Sequence, residues 1–414
     1  MGLNDTPSGE RVRIGFFGMR NAGKSSLVNA VTGQDLSVVS EVRGTTTDPV
    51  KKAMELRPLG PAVIIDTPGI DDAGELGEKR VEKARQTLAQ TDIAVLVTDA
   101  SRGLSLEDRR LLEQFQARSM PYLVAYNKAD LLNIIPDSEE NELYVSAVTG
   151  ENINQLKDML GAFAKELENP RRLASDLFRP GDTAVLVIPI DESAPKGRLI
   201  LPQQQVMRDL LDAHCKLAAC RPEELDELLS ELGMPPGMVI TDSQVFGQVA
   251  RIVPEEIPLT SFSILFARYK GNLRRLVRGA ARLGTLRDGE RVLISEGCTH
   301  HRQCNDIGAV KLPGWIRAYA GAAVEFSFTS GGEFPDNLSG FALVIHCGGC
   351  MLGEREMRAR MARCALSGVP MVNYGVAIAQ MNGILERSLR PFPELDDLAA
   401  SLLRDEPDER EGPY

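Results

Sequence analysis

Short apolar runs recur along the whole chain, separated by longer mixed stretches. Residues 11–17 (RVRIGFF), 63–65 (VII), 93–98, 122–126 and 143–145 are the first five such runs. The same texture returns at 183–190 (TAVLVIPI), 238–241, 291–295 (RVLIS), 341–345 (FALVI) and 371–373. Brief, continuous runs rich in β-branched residues are the pattern of strands buried on both faces, as in a parallel sheet. Between them, residues 26–32, 203–217, 222–232, 273–283, 351–366 and 376–389 read as helices. Strands alternating with helices predict an α/β chain.

The punctuation of this pattern suggests where the chain divides. Residues 166–180 (ELENPRRLASDLFRP) run from a helix end through two prolines flanking arginines, which marks a boundary. The expected domains are 1–170, 171–262 and 263–395, followed by an acidic, Pro-containing tail at 396–414. A length of 414 residues agrees with three units at roughly 150 residues each. No run approaches the ~18 apolar residues of a membrane span. The polar N-terminus, MGLNDTPSGE, lacks a secretory core and matches the loose myristoylation pattern (Gly2, Thr6) only by chance. The formal charge of −11 argues against nucleic acid as a standing partner, since phosphate binding wants a basic face. Seven cysteines, an odd number in a long chain, fit a reducing cytoplasm better than a disulfide framework.

The first apolar run leads into Gly18-Met-Arg-Asn21-Ala22-Gly23-Lys24-Ser25, a GxxxxGKS loop followed by a helix beginning with Ser26. Strand, loop and helix in this order form a P-loop: backbone N–H groups cradle phosphates, Lys24 reaches the β and γ groups, and Ser25 ligates Mg2+. The next strand ends at Asp66-Thr-Pro-Gly69, where Asp66 can hold Mg2+ through water and the Gly69 amide can meet the γ-phosphate. The run 122–126 ends at Asn127-Lys128-Ala129-Asp130, and Asp130 can accept both N–H groups of a guanine edge. Ser146-Ala147 follows the fifth run as a loop whose backbone can meet the guanine oxygen. Thr46, within Gly44-Thr45-Thr46-Thr47-Asp48, is the threonine expected to reach the γ-phosphate and Mg2+.

These residues, from about 10 to 168, resemble the Era/TrmE-like GTPases across all five G motifs. The resemblance implies GTP and Mg2+ as ligands, and it places Asn21 where those proteins bind a potassium ion. On the residues alone, Asn21 could equally be a loop-stabilising amide. Ile70 stands where Ras-type proteins carry a water-positioning glutamine, so the water must be oriented from elsewhere. Asp71, Asp72 and Glu75 are either carboxylates of the second switch or a solvated acidic turn.

Two further runs carry a different chemistry. Cys298-Thr299-His300 and His346-Cys347-Gly348-Gly349-Cys350 each follow an apolar run, so both are expected at the carboxyl ends of strands, where open sheets place ligands. Read as lying at a helix N-terminus, the second run should favour thiolate. Three cysteines with one or two histidines can hold zinc or an iron–sulfur cluster, and a plain redox dithiol remains the bland alternative. His301 and Cys304 are further loop candidates. Cys215 and Cys220, beside His214, read as packed thiols at helical spacing.

The pairing of a GTPase domain with CxH and HCxxC resembles the [FeFe]-hydrogenase maturation GTPases, over the whole chain and in domain order. That resemblance implies a P-loop GTPase domain followed by two further α/β domains, the second for dimerisation into a homodimer and the third for a cluster. It implies a [4Fe-4S] cluster on Cys298, Cys347 and Cys350, with His300 or His346 as candidates for an exchangeable fourth position. It further implies a scaffold or carrier for the transient diiron subcluster, received from two radical-SAM maturases and handed to the [FeFe]-hydrogenase catalytic subunit. The competing reading is a ribosome- or tRNA-associated GTPase with a structural zinc.

Overall fold

The computed structural model describes residues 9–34, 50–68, 84, 87–167, 171–190, 199–298 and 307–395. It contains two compact units, Met1–Asn169 and Pro170–Tyr414, with three sheets among the described residues.

The first unit is built on a six-stranded sheet of order β2-β3-β1-β4-β5-β6. Its strands are β1 (Val12–Phe17), β2 (Val50–Leu56), β3 (Gly60–Asp66), β4 (Ile93–Asp99), β5 (Tyr122–Asn127) and β6 (Glu142–Tyr144). Only β2 runs antiparallel, paired with β3 at the sheet edge; the other neighbours are parallel. No apolar run marks β2, whose KKAMEL residues are mostly exposed. Alternate residues of β1 face opposite sides. Ile14 and Phe16 pack with Leu27 and Val28 of the helix Lys24–Thr32 and with Leu156 and Leu160 of the helix Ile153–Glu166. Phe17 faces the other way, with Phe115 of the helix Leu106–Ala117 at a ring separation of 5.5 Å. Each fully buried side chain of this size contributes roughly 1.5–3 kcal/mol. The last helix starts at Ser105, whose hydroxyl accepts from the Asp108 amide while Asp108 accepts from the Ser105 amide. Two amides with no partner inside the helix are thereby satisfied.

The second unit holds two four-stranded sheets, ordered β10-β9-β7-β8 and β12-β11-β13-β14, in which each neighbouring pair is parallel. The strands are β7 (Thr183–Val187), β8 (Lys216–Cys220), β9 (Met238–Thr241), β10 (Leu259–Ser261), β11 (Arg291–Glu296), β12 (Glu325–Ser330), β13 (Leu343–His346) and β14 (Met371–Asn373). One continuous apolar core serves both sheets, from Val185 and Ile240 to Ile294 and Ile345.

Two expected helices are corrected here. The helix read over 203–217 is Leu201–Asp212; the chain then turns through His214 at φ 60° and enters β8. Cys215 and Cys220 therefore flank and end a strand rather than sharing a helix face. Burial raises both thiols, Cys220 to about 11, with Glu224 adding to the rise. The helix read over 376–389 is two, Tyr374–Met381 and Leu385–Leu389, parted at Gly383 with φ 70°. The second unit also holds the helices Phe262–Lys270 and Leu312–Ala320, which the apolar pattern does not predict. No helix among the described residues is long and apolar enough to cross a membrane.

Candidate functional site

The thiols lie where two neighbouring strands stop. β11 and β13 pair in parallel with Ser295 opposite His346, so Cys298 and Cys347 both follow the carboxyl ends of adjacent strands. The two loops touch: the Gly297 amide donates to Cys347 Sγ at 3.1 Å, and the Gly349 amide donates to the same sulfur at 3.4 Å. Gly349 turns the loop at φ 67°, in the left-handed region where a side chain is strained. Burial raises the Cys347 thiol to about 11, with the neighbouring Cys350 adding to the rise while the two amides oppose it. Burial raises Cys350 as well, against the pull of the Lys270 charge.

The expected helix N-terminus beneath the thiols is corrected. The helix is Glu354–Leu366 with Gly353 as its cap, so a turn separates Cys350 from its first residue.

His346 is fully buried, and both its ring nitrogens have protein partners. Nδ1 donates to the Cys347 carbonyl at 2.8 Å, and Nε2 accepts from Arg360 Nη1 at 3.0 Å. Burial and then the Arg360 charge lower its pKa to about 3, so the imidazole is neutral. Arg360 also donates to Ser295 Oγ, to the Gly331 carbonyl and to Glu356, its buried ion-pair partner. Sequence reading missed Arg360, because its partners stand 14 to 65 positions away, apart from Glu356 one helical turn back. His300, His301 and Cys304 lie outside the described residues, as do Thr46, Gly69, Ile70, Asp71, Asp72 and Glu75. Among the described residues, no group of three or more His, Cys, Asp or Glu is gathered closely enough to hold a metal ion.

In the first unit the nucleotide residues gather at the carboxyl end of the sheet. Gly18 sits at φ 136°, and a Cβ there would fall 2.1 Å from the Val97 carbonyl oxygen, so no larger residue fits. Asn21 also has a positive φ, 62°. Lys24 folds back onto the loop, donating to the carbonyls of Gly18 at 3.0 Å and Met19 at 2.8 Å. Ser25 Oγ donates to Asp66 Oδ2 at 2.7 Å, which places the two expected Mg2+ residues side by side. Ser26 is in the first turn of the helix that follows.

Asn127 joins the loops. Its Nδ2 donates to the Ala22 carbonyl at 3.1 Å, and its Oδ1 accepts from the Ala147 amide at 3.1 Å. Gly23 leaves room for this, since a Cβ would come within 2.3 Å of Asn127 Nδ2. Ser146 Oγ donates to Asp130 Oδ1 at 2.6 Å. Lys128, at φ 65°, pairs with Asp99 at 2.7 Å. Burial would raise the Asp99 carboxyl, but Lys128 and Ser101 outweigh it and hold the pKa at about 2. Asp99 escaped the sequence reading, although it directly ends β4.

A mostly parallel sheet with a P-loop after its first strand, a DxxG at the end of β3 and an NKxD at the end of β5 defines a P-loop GTPase domain. A model for the 50S ribosome-binding GTPases matches residues 13–128. The rest of the chain settles the assignment further: the hydrogen maturase F dimerization domain matches residues 173–271, and the hydrogen maturase F tetramerization domain matches 274–391. The chain belongs to the hydrogen maturase F family, and its domain content is that of an oligomer-forming protein.

Relatives of the first unit include GTPase Der of Kosmotoga olearia, 34% identical over 178 residues covering 38% of this chain and 40% of that one. The tRNA modification GTPase MnmE of Nitrosomonas europaea is 33% identical over 156 residues, covering 36% of this chain and 34% of that one. The chain thus spans two fifths or less of the length of these relatives. Among solved structures, a probable GTP-binding protein engB is 24% identical, with a TM-score of 0.31, over 37% of this chain and all of that one.

Proposed function

We propose that this chain is a GTP-hydrolysing scaffold that carries the diiron subcluster of [FeFe]-hydrogenase and holds a resident [4Fe-4S] cluster on Cys298, Cys347 and Cys350. The observation that carries the cluster reading is the contact of Cys347 Sγ with the Gly297 amide, which brings the two thiol loops together at neighbouring strand ends. Sulfur that accepts N–H donors in a buried, glycine-turned loop suits a thiolate bound to iron. Such a cluster would supply a redox-active iron centre with a replaceable coordination position. His346, tied to Arg360 and to the Cys347 carbonyl, orients the loop in this reading.

In the GTPase cycle, Lys24 exchanges the Gly18 and Met19 carbonyls for phosphate oxygens. Ser25 and Thr46 would hold Mg2+, with Asp66 beside Ser25 to support it, and the Gly69 amide would meet the γ-phosphate. Asn127, Lys128, Asp130, Ser146 and Ala147 form the guanine pocket in this reading, and Asn21 would hold a K+ ion. A cation there would offset charge developing on the bridging oxygen. The partners in this reading are a second copy of the chain, two radical-SAM maturases and the hydrogenase.

The deciding experiment is anaerobic purification, iron and sulfide reconstitution, metal analysis and electron-resonance spectroscopy. About four irons per chain with a cluster signal is the expected result for a [4Fe-4S] site. A colourless protein with one zinc per chain, copurifying with RNA, would instead support a ribosome- or tRNA-associated GTPase.

A further inference from the structure

Lys270 is the last residue of the helix Phe262–Lys270, yet only 2% of it is exposed. Its Nζ donates to three backbone carbonyls of one loop: Gly349 at 3.1 Å, Cys350 at 3.0 Å and Leu352 at 2.8 Å. An ammonium has three N–H donors, and here three carbonyls of the thiol turn receive them. Those carbonyls belong to irregular backbone after a buried strand, where an unsatisfied acceptor costs roughly 1–3 kcal/mol. A lysine side chain has been brought out of water to meet them, although a smaller polar side chain could have satisfied one or two. The face of Phe266 lies 5.5 Å from the same nitrogen.

We propose that Lys270 is a positioning and charge-compensating residue for the cluster, holding the Cys347–Cys350 turn in shape and setting a fixed positive charge against it. This rests on the cluster reading above. Three thiolates around an iron–sulfur core carry net negative charge, and reduction adds another. A buried cation nearby stabilises the more negative state, because low-dielectric surroundings screen it poorly. Lys270 therefore favours both assembly and the reduced form. The three-point grip also fixes which way the Cys350 backbone faces, independently of any bound group.

The test compares the full-length parent with Lys270→Met and Lys270→Arg. Iron and sulfide content is measured after anaerobic reconstitution, the midpoint potential of the bound cluster by titration, and amide hydrogen exchange over 349–353 before reconstitution. Methionine keeps the length and removes the charge; arginine keeps the charge with a different donor geometry. The expected result is faster exchange in Lys270→Met before any iron is added, a lower cluster yield, and a more negative potential in what assembles. Lys270→Arg should return the potential toward the parent value while exchange stays faster. A parent that loads normally alongside a Lys270→Met with unchanged exchange, yield and potential would overturn the role of Lys270 and leave the cluster reading standing. A parent that takes up no iron would overturn the cluster reading, and this proposal with it. If Lys270→Met fails to fold, Lys270→Gln takes its place: a potential more negative than the parent's that Lys270→Arg restores upholds the charge role, and a potential equal to the parent's rejects it.

Discussion

Gly297 donates its amide to the sulfur of Cys347 at 3.1 Å, across the gap between two adjacent strand ends. A backbone donor next to Cys298 thus already serves the thiol of the other loop. Substituting Cys298, Cys347 or Cys350 singly by Ala should abolish cluster reconstitution. His346→Gln should retain a cluster, because both imidazole nitrogens already have protein partners. Iron content and the electron-resonance signal decide the matter, and a cluster unchanged in Cys298→Ala would remove that residue from the ligand set.

Asp130 accepts from Ser146 in the loop pair joined by Asn127. Asp130→Asn should weaken GTP binding by two orders of magnitude or more and create binding of xanthosine triphosphate, since the amide reverses the donor pattern that guanine meets. Buried polar groups left unpaired discriminate by about 10⁴–10⁵. Competition binding with both nucleotides measures the switch, and equal hydrolysis of ATP and GTP by the parent would contradict the pocket.

Lys24→Ala should abolish GTP turnover while leaving the iron content of the second unit intact. With Mg2+ held constant, the parent should hydrolyse GTP faster in potassium than in sodium. Equal rates would reduce Asn21 to a residue that merely shapes the loop.

Arg360 and Glu356 form a buried pair, with side chains 4% and 6% exposed. Arg360→Met breaks the buried ion pair with Glu356 and removes the donor to His346, so a loss of roughly 3–5 kcal/mol is expected in urea unfolding. The double substitution Arg360→Met/Glu356→Leu should recover part of it. A single-variant loss below about 1 kcal/mol would mean that water reaches the site.

Asp99 supplies a pH test in the first unit. Its pKa is held at about 2 against an ordinary 3.8, so the Lys128 pair adds stability above about pH 4 and loses it as pH falls through 2. Asp99→Asn should therefore cost about 1 kcal/mol at pH 7 and progressively less below pH 4, since the pair is partly solvated. A cost that does not change with pH would assign the effect to packing.

The motifs were legible in the chain because they are local. Eight consecutive residues make the P-loop, and five carry the HCxxC run. The buried strands showed themselves through apolar runs for the same reason. Misreadings came where the signal was weak or long-range. The helix expected to reach residue 217 stops at Asp212, and the turn depends on His214 adopting a positive φ that nothing nearby advertises. The break at Gly383 did have a signal, an Asn-Gly pair, which the apolar stretch before it masked. Lys270 meets carbonyls about 80 positions downstream, a relationship that exists only after the sheet has formed.

The helix Phe262–Lys270 begins directly after β10 and ends with the ammonium under the thiol turn. Nine residues make a rod about 13 Å long. One end is anchored at the edge of the first four-stranded sheet, the other in the turn beside the second. Mechanically it is a strut. A shift of the β10 edge must bend the rod, pull three hydrogen bonds off the loop or carry the loop along with it. A push on one sheet would therefore bear on the turn that carries Cys350 beside the other.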